Sequence, residues 1–589
     1  MKLPPVKRIR LSLLCWIAAT FLLLAPMASQ EGSTDFLIRT ALRGTRGGNL
    51  VAGISADPSN FNRMFSAGLS NSLIAERLSA DLVHINRSSF ALEPSIASSW
   101  EADANGTTYI LHLRRGLRFS DGQPFTAEDV LFTFLALQDQ KSLPDLAGQL
   151  QVDGKFPAVS KVDAYTVRLE FPRPVGMGLR ALDSIPVLPR HRLQAAYEKG
   201  TLRTAWGPGV NPGDVAGLGP FRLKEYQRGI KVVLERNPYY WKKDGKGQGL
   251  PYLDSVTFLV VQDRNAESLR FQAGEIDVVH SLTPESYAAL RREQKSAGFQ
   301  LKDLGSGLRM DFLWFNLNPG RNASGQPFVD PEKMEIFQKS QFRRAVSYAL
   351  NRSGMSRSIF LGLGDPQYGP LSTGNRSWFN PEIPRTEYDP AMARKLLAEA
   401  GLRDSNRDGV LEYPKRGAPF EFTLLTARGS MTREKMAQVI AENLQAVGIR
   451  ARTEFLVTNE IAARFLETFD YEAILFGITP SDVAPDLQTD LWFSNGGLHF
   501  WFPGQPKPWY PWEAELDRLT SSLVRSIDPA IRKRTCDRMQ VLWAEQMPAI
   551  PTLAPHEIVG WKDSVENVSP SILAPFLLWN AEELSLKRR

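Results

Sequence analysis

Apolar and polar residues alternate most regularly between Ala216 and Asp277. After Gly219-Pro220, residues 221–226 alternate as a half-buried strand does. Arg228-Gly229 has the composition of a turn, and residues 230–235 alternate again. This pattern predicts a β-hairpin.

A β-branched run follows at residues 255–261 and predicts a third strand. Behind it, Ala266, Leu269 and Ala273 share one face of a predicted helix, and Gly274 closes that helix. Strand and helix periods therefore occur in one unit, as in an α/β domain.

The same two periods extend along the chain. Strands are predicted at 50–55, 107–113, 309–316, 420–426, 450–457 and 471–477, with an edge hairpin over 159–171. Helices are predicted at 70–82, 342–350, 432–447 and 517–547, and after Asp389. The strand-helix-strand order over 420–457 predicts a parallel pair of strands. Residues 34–49 show neither period, so we expect a lead-in without regular structure.

A helix is also predicted from residue 125. Thr126 can cap it, and Asp129 completes a capping box at the positive helix end. These charged side chains could be taken for catalytic groups, but we interpret them as turn and cap residues.

The N-terminus has the three parts of an export signal. Four basic residues within the first ten precede the apolar run 11–24, which ends in small residues. We predict a signal peptide at 1–29. The alternative is a membrane anchor, but this run is shorter than the ~20 residues that a span needs.

Composition excludes several classes of protein. The chain has 589 residues, 43% hydrophobic and 23% charged, which suits a globular protein of several domains. Beyond residue 29, basic and acidic residues nearly balance, and no basic stripe indicates nucleic-acid binding. Cys15 lies within the signal, so Cys536 has no partner for an internal disulfide.

No constellation indicates catalysis or a metal. The six histidines are scattered, and we find no G-x-S-x-G motif or P-loop on a strand-to-helix turn. Asp404, Asn406 and Asp408 are spaced as in an EF-hand, but Lys415 occupies the position of the bidentate acid. We therefore expect an Asx/Gly turn there, no cofactor and no enzymatic activity.

Four segments together resemble one family. They are G-L-G-P-F-R-L at 217–223, R-N-P-Y-Y-W at 236–241, G-E-I-D at 274–277 and L-R-R-G-L-R-F-S-D-G-Q-P-F-T-A-E-D-V at 113–130. The chain closely resembles the dipeptide- and oligopeptide-binding proteins, the family 5 extracytoplasmic solute-binding proteins of ABC importers. This resemblance implies an α/β, two-lobed periplasmic-binding-protein-like fold with a hinge and an additional small domain. The implied parts are the first lobe at 30–82, 185–304 and 551–589, the small domain at 83–184 and the second lobe at 305–550.

The resemblance also implies a binding loop. Residues 476–486 look like the family's G-W-x-x-D-x-x-x-P-D segment, in which the Asp holds the α-amino group of a peptide. Ile478 stands at the Trp position and the neutral Ser481 at the Asp position, so charge-assisted pairing is lost unless Asp482 replaces it. Thr479, Ser481 and Asp482 are therefore candidate ligand contacts, and a loop without a ligand role is the alternative.

Aromatic residues supply the other candidates. Trp314 and Asn316 end a strand that resembles the family's F-N segment, and Trp492 and Trp501 belong to a Pro/Gly-rich aromatic stretch. We expect some of these side chains to line the cleft; the alternative is that they belong to the core.

The implied function is capture of a peptide or related small solute and delivery to an ABC permease complex in the inner membrane, by a monomer in the periplasm. Oligosaccharides, opines and metal chelates remain alternative solutes. An exported hydrolase, or a chaperone or sensor on the same scaffold, is the alternative function.

Overall fold

A computed structural model describes residues 34–587 except 67, 143–149 and 153. The predicted signal peptide at 1–29 therefore lies outside the described residues. Across the described part of the chain, no helix is both long and apolar enough to cross a membrane.

The first lobe is built on a mixed sheet. Its strands, in spatial order, are β14 (Phe299–Ser306), β21 (Leu553–Lys562), β13 (Val278–Val279), β2 (Asn49–Ile54), β12 (Ser255–Val260), β10 (Lys231–Arg236) and β9 (Phe221–Gln227), and β16 (Gly364–Pro366) also pairs with β21. β9 and β10 form the predicted antiparallel hairpin, while β12 runs parallel to β2. The hairpin prediction is confirmed.

A small antiparallel sheet follows β2 in the chain. Its order is β5 (Ala97–Ala102), β6 (Thr108–Leu113), β8 (Thr166–Glu170) and β7 (Ala158–Asp163), so the predicted hairpin lies at its edge. The helix beside it has the predicted capping box between Thr126 and Asp129. Leu111 of this sheet and Phe134 of the helix belong to one continuous core with Leu50 and Phe258 of the first lobe.

The second lobe has its own sheet and core. The strand order is β18 (Arg450–Leu456), β17 (Glu421–Ala427), β19 (Ala473–Ile478), β15 (Met310–Phe315) and β20 (Ala549–Pro551). β17 runs parallel to β18, as the strand-helix-strand pattern predicts. Phe315 packs against both Phe342 and Phe422 within the separate core of this lobe.

Helices cover the sheets, and three short strand pairs complete the fold. The helices are α1 (Leu69–Leu78), α2 (Ala127–Leu137), α3 (Arg190–Glu198), α4 (Leu202–Ala205), α5 (Arg264–Ala273), α6 (Pro284–Glu293), α7 (Pro331–Phe337), α8 (Ser340–Ala349), α9 (Arg352–Phe360), α10 (Pro390–Glu399), α11 (Met431–Gln445), α12 (Thr458–Ala463), α13 (Thr489–Trp492), α14 (Pro511–Arg525) and α15 (Pro529–Gln546). The strand pairs are β1 (Leu37–Arg39) with β11 (Lys242–Asp244), β3 (Val83–Ile85) with β4 (Leu92–Pro94), and β22 (Val565–Glu566) with β23 (Ser585–Leu586).

Besides the longer segments that lead into and out of β16, two short connections join the two main sheets. β14 leads to β15 through residues 307–309, and β20 leads to β21 through Thr552. The backbone N–H and hydroxyl of Thr552 both donate to the carbonyl of Asp311, at 2.9 and 2.6 Å. We expect these two short connections to act as the hinge between lobes.

Three local predictions were wrong. The helix predicted at 517–547 is two helices, because Asp528 caps α15 and Pro529 begins it. Leu269 is 64% exposed, and α5 instead buries Ser268 and Phe271. Part of the lead-in, Leu37–Arg39, is a strand that pairs in parallel with β11.

Arg343 on α8 connects the ends of two helices in the second lobe. Its guanidinium donates to the carbonyls of Phe337, Gln338, Gln546 and Met547 at 2.7–3.1 Å, near the ends of α7 and α15. Burial lowers the pKa of Arg343 to about 10, against the opposing influence of Tyr510 and Glu513. The arginine therefore satisfies buried helix carbonyls that would otherwise lack donors.

We expect Arg343→Met to destabilise the second lobe strongly. A buried polar group left without its hydrogen bond costs about 1–3 kcal/mol. Arg344→Met, at the half-buried neighbouring position on α8, is the matched control. Calorimetric unfolding should show a much larger loss of stability for Arg343→Met; equal losses would contradict this role.

Candidate functional site

The predicted binding loop begins where strand β19 ends. β17 and β19 run parallel, so their carboxyl ends meet at one edge of the second sheet. Residues 479–488 leave from that edge and contain a short 3-10 helix, Pro485–Leu487. Ligands of α/β sheets bind beyond the carboxyl ends of the strands.

A cavity of about 900 Å³ lies beside this loop. One wall comes from the small domain and the other from the second lobe. The small-domain side includes Gln151, Val152, Gly154, Arg173, Val175 and Met177, and the other side includes Ile478, Thr479, Pro480, Ser481, Asp486, Gln488, Asp490, Phe493, Asn495, Leu498 and Arg525. The volume is within the ~300–1,000 Å³ that is common for small-molecule sites.

A second hollow, of about 690 Å³, lies between α2 and β7 of the small domain and α3 of the first lobe. Its lining includes Leu131 and Phe132 of the small domain and Tyr197 of the first lobe, two parts that share one hydrophobic core. Hinge movement between lobes would not open or close this hollow. The cavity between lobes is therefore the better candidate site.

Two candidate contacts face the cavity. Thr479 and Ser481 both line it, and both residues are exposed. Each offers a neutral hydroxyl that can donate and accept a hydrogen bond. This part of the wall is thus polar but uncharged.

Asp482 is turned away from the cavity. Its carboxylate is 5% exposed, accepts hydrogen bonds from Nε of Arg180 at 3.0 and 2.9 Å, and lies 2.8 Å from Nη2 of the same arginine. Arg180 lies in the 3-10 helix Gly178–Ser184, in the sequence range of the small domain. The ion pair therefore joins the binding loop to the opposite side of the cleft.

Apolar contacts hold the same loop from behind. Val483 is buried in a small cluster with Leu308 and Leu573, against which Trp378 also packs. The Asn375 side-chain amide donates to the carbonyl of Val483 at 2.7 Å. The loop is thereby fixed between segments of both lobes.

Asp486 is the second buried carboxylate of the loop. It is 3% exposed, lines the cavity and accepts from Nη2 of Arg532 at 2.7 Å. Burial raises the pKa of Asp486, although Arg532 opposes the shift. Within the described chain its other oxygen, Oδ1, has no hydrogen-bond partner.

The structure places Trp314 and Asn316 in the core of the second lobe. The Trp314 ring stacks on Phe500 at 4.6 Å between centroids. The Asn316 side chain donates to the carbonyls of Phe469 and Tyr471. Neither residue lines the cavity in this conformation.

Trp492 and Trp501 are also fully buried. The indole N–H of Trp492 donates to the carbonyl of Pro485, behind the binding loop, at 3.2 Å. That of Trp501 donates to Glu513 at 2.8 Å. In this structure both tryptophans therefore belong to the core, which was the alternative to lining the cleft.

Glu513 organises the aromatic segment. Besides Trp501, it accepts from the Gln505 side chain and from the backbone N–H groups of Trp509 and Tyr510. Burial alone would raise the pKa of Glu513, but contacts that include His499 and Trp501 outweigh it and lower that pKa. This carboxylate gives a loop rich in proline and glycine one fixed shape.

Arg180 and Arg532 are the important site residues that sequence reasoning missed. Both lie far along the chain from the carboxylates they hold, in segments that carry no motif of their own. The predicted Asx turn is present in the loop at Asp404, because the side-chain oxygen of Asn406 accepts the N–H of Asp408, two residues on.

Glu513→Gln should lower stability at neutral pH. Hydrogen bonds to a charged group contribute about 1.5–3 kcal/mol each. Since the folded pKa is lowered, this stabilisation is present above the ordinary Glu value of about 4.3 and declines as pH falls below it. The difference in free energy of unfolding between wild type and variant should therefore shrink towards pH 3.

Urea titrations at several pH values would measure this difference. Glu515→Gln is the control on the same helix, since Glu515 pairs with Arg538 near the surface. Such surface pairs are worth about 0–1 kcal/mol. A pH-independent effect of Glu513→Gln would contradict the argument.

Comparison with known proteins agrees with this architecture. Residues 91–500 match the model described as "Bacterial extracellular solute-binding proteins, family 5 Middle". The probable ABC transporter-binding protein of Deinococcus radiodurans is 26% identical over 493 residues, 80% of this chain and 81% of that protein. The oligopeptide-binding protein AppA of Bacillus subtilis is 26% identical over 572 residues, 95% of this chain and 96% of that protein. The structure of AppA with a nonapeptide has a TM-score of 0.72 and covers 93% of this chain and 100% of its own.

Proposed function

Because the chain belongs to the bacterial extracellular solute-binding proteins of family 5, we propose that it captures its solute in the cavity beside residues 478–488. It is the solute-binding component of an ABC transporter, and its solute is a peptide or a related small molecule. The cavity between separately packed lobes is the observation that carries this proposal. Such lobes can close over a solute by hinge movement without losing their cores.

The proposed setting follows the family. The segment 1–29 directs export to the periplasm, where the protein works as a monomer. It delivers its solute to a permease complex in the inner membrane, which is coupled to an ATPase. The relative from Deinococcus is named as an ABC transporter-binding protein, which supports this partnership.

The cavity is suited to binding rather than catalysis. Its described lining includes neither histidine nor cysteine beside the hydroxyls of Thr479 and Ser481. A serine or threonine nucleophile needs a base within hydrogen-bond reach. We therefore favour a binding protein over an exported hydrolase.

A short peptide is the first solute to test. One relative that aligns with nearly the whole chain is named an oligopeptide-binding protein. Ser481 lacks the charge that the family's Asp offers to a peptide ammonium, so oligosaccharides and other solutes belong in the same screen. The volume of about 900 Å³ accommodates either kind.

Ser481→Trp should block the cavity. The indole would occupy space at the exposed Ser481 position without disturbing a buried contact. We expect the small solute that co-purifies with the wild-type protein from the periplasm to be lost. Native mass spectrometry followed by extraction and identification of the solute measures this.

Ser324→Trp is the matched control, because Ser324 lies in an exposed turn of the second lobe and does not line the cavity. It should retain the solute at the wild-type level. Equal retention by Ser481→Trp would place the binding site elsewhere.

A further inference from the structure

The carboxylate next to the cavity is already neutralised by the protein. Arg180 contacts Asp482 through Nε and Nη2 at 2.8–3.0 Å, and the two residues are 302 positions apart. Asp482 Oδ1 also accepts the backbone N–H of Ala484 at 2.9 Å. A paired arrangement of this kind makes a strong charge-assisted interaction.

Arg180 is itself held in place. Its Nη1 donates to the carbonyl of Phe90 at 2.7 Å, and its side chain is 17% exposed. If a solute ammonium paired with Asp482 in place of Arg180, this guanidinium would be left without its counterion in a mostly buried position. An uncompensated buried charge is costly, so displacement of Arg180 is unfavourable.

The other acidic groups of the cavity do not replace Asp482. Asp486 is paired with Arg532, so its charge is also balanced. Asp490 lines the cavity but is exposed. Exposed ion pairs contribute little to affinity.

Beside Arg173 and Arg525 in its lining, the cavity offers a set of neutral hydrogen-bonding groups. Ser481 and Thr479 offer hydroxyls, Gln488 and Asn495 offer amides, and Oδ1 of Asp486 is a buried acceptor without a partner among the described residues. A hydroxyl or an amide N–H of a solute can pair with these hydroxyls and amides without bringing a charge. A free ammonium would lose its hydration without gaining a counterion.

We propose that Arg180 determines specificity by neutralising Asp482, so that the cavity accepts a solute whose buried end is uncharged and donates hydrogen bonds. An N-blocked peptide and an oligosaccharide both have this chemistry. The proposal rests on the function proposed above. It assigns a role to an arginine outside the binding loop.

Calorimetry with three probes tests this. The probes are tetra-alanine with a free N-terminus, the same peptide N-acetylated, and a neutral tetrasaccharide. Wild type should bind at least one uncharged probe more tightly than free tetra-alanine. In Arg180→Gln, which frees Asp482, affinity for free tetra-alanine relative to its acetylated form should rise ten- to hundred-fold.

The double variant Arg180→Gln/Asp482→Asn is the matched control. It removes the same arginine but leaves no free carboxylate, so the preference should return to that of wild type. If free tetra-alanine binds the single and double variants equally, or does not bind either, the proposal is wrong. If Arg180→Gln does not fold, the wild-type measurements alone test the proposal. The proposal is wrong if wild type binds free tetra-alanine as tightly as it binds both uncharged probes.

This failure is distinguishable from failure of the proposed function. Loss of the co-purifying solute in Ser481→Trp depends on where the solute binds and does not depend on its charge. If Ser481→Trp abolishes solute retention but Arg180→Gln does not change the preference between free and acetylated peptide, the proposed function stands and only the role of Arg180 is wrong.

Discussion

Separate hydrophobic cores in the two lobes are the constraint on which the rest of the structure depends. Each core is packed within its own lobe, around residues such as Phe258 in the first and Phe315 in the second. Close packing within a lobe makes that lobe a rigid body. Surfaces that face each other across the cleft are therefore free to be polar, and movement at the expected hinge, residues 307–309 and Thr552, would leave both cores packed. A cavity for a soluble ligand is a natural consequence.

Charged side chains near the cleft are buried as ion pairs. Asp482 is held by Arg180 and Asp486 by Arg532. Asp311, near the hinge, is fully buried and is contacted by Arg433 at 2.8 Å. Pairing is required because an isolated buried charge costs far more than a matched one. The cleft is thus anchored by charges that nevertheless present little net charge to a solute.

Local chemistry explains which features could be predicted from the sequence. The β9–β10 hairpin, the Thr126 capping box and the parallel β17–β18 pair depend on residues close together in the chain. The break before α15 was missed although Asp528-Pro529 is a helix-start signal, because the apolar pattern continues across it. The burial of Trp492 and Trp501 could not be predicted, since it depends on Pro485 and Glu513 and on packing in the second lobe. The Arg180–Asp482 pair joins two distant segments for which no local pattern exists.

Specificity is a difference between affinities, and here it arises from two separate parts of the structure. In the proposed site, the end of β19 determines where the solute binds. The charge presented there depends on position 481, on Asp482 and on an arginine from another domain. We expect exchange of these side chains to change the preferred solute while the strands and the two cores stay the same. A shared fold therefore identifies the cavity, whereas the balance of charge around it determines which end of a solute can be buried.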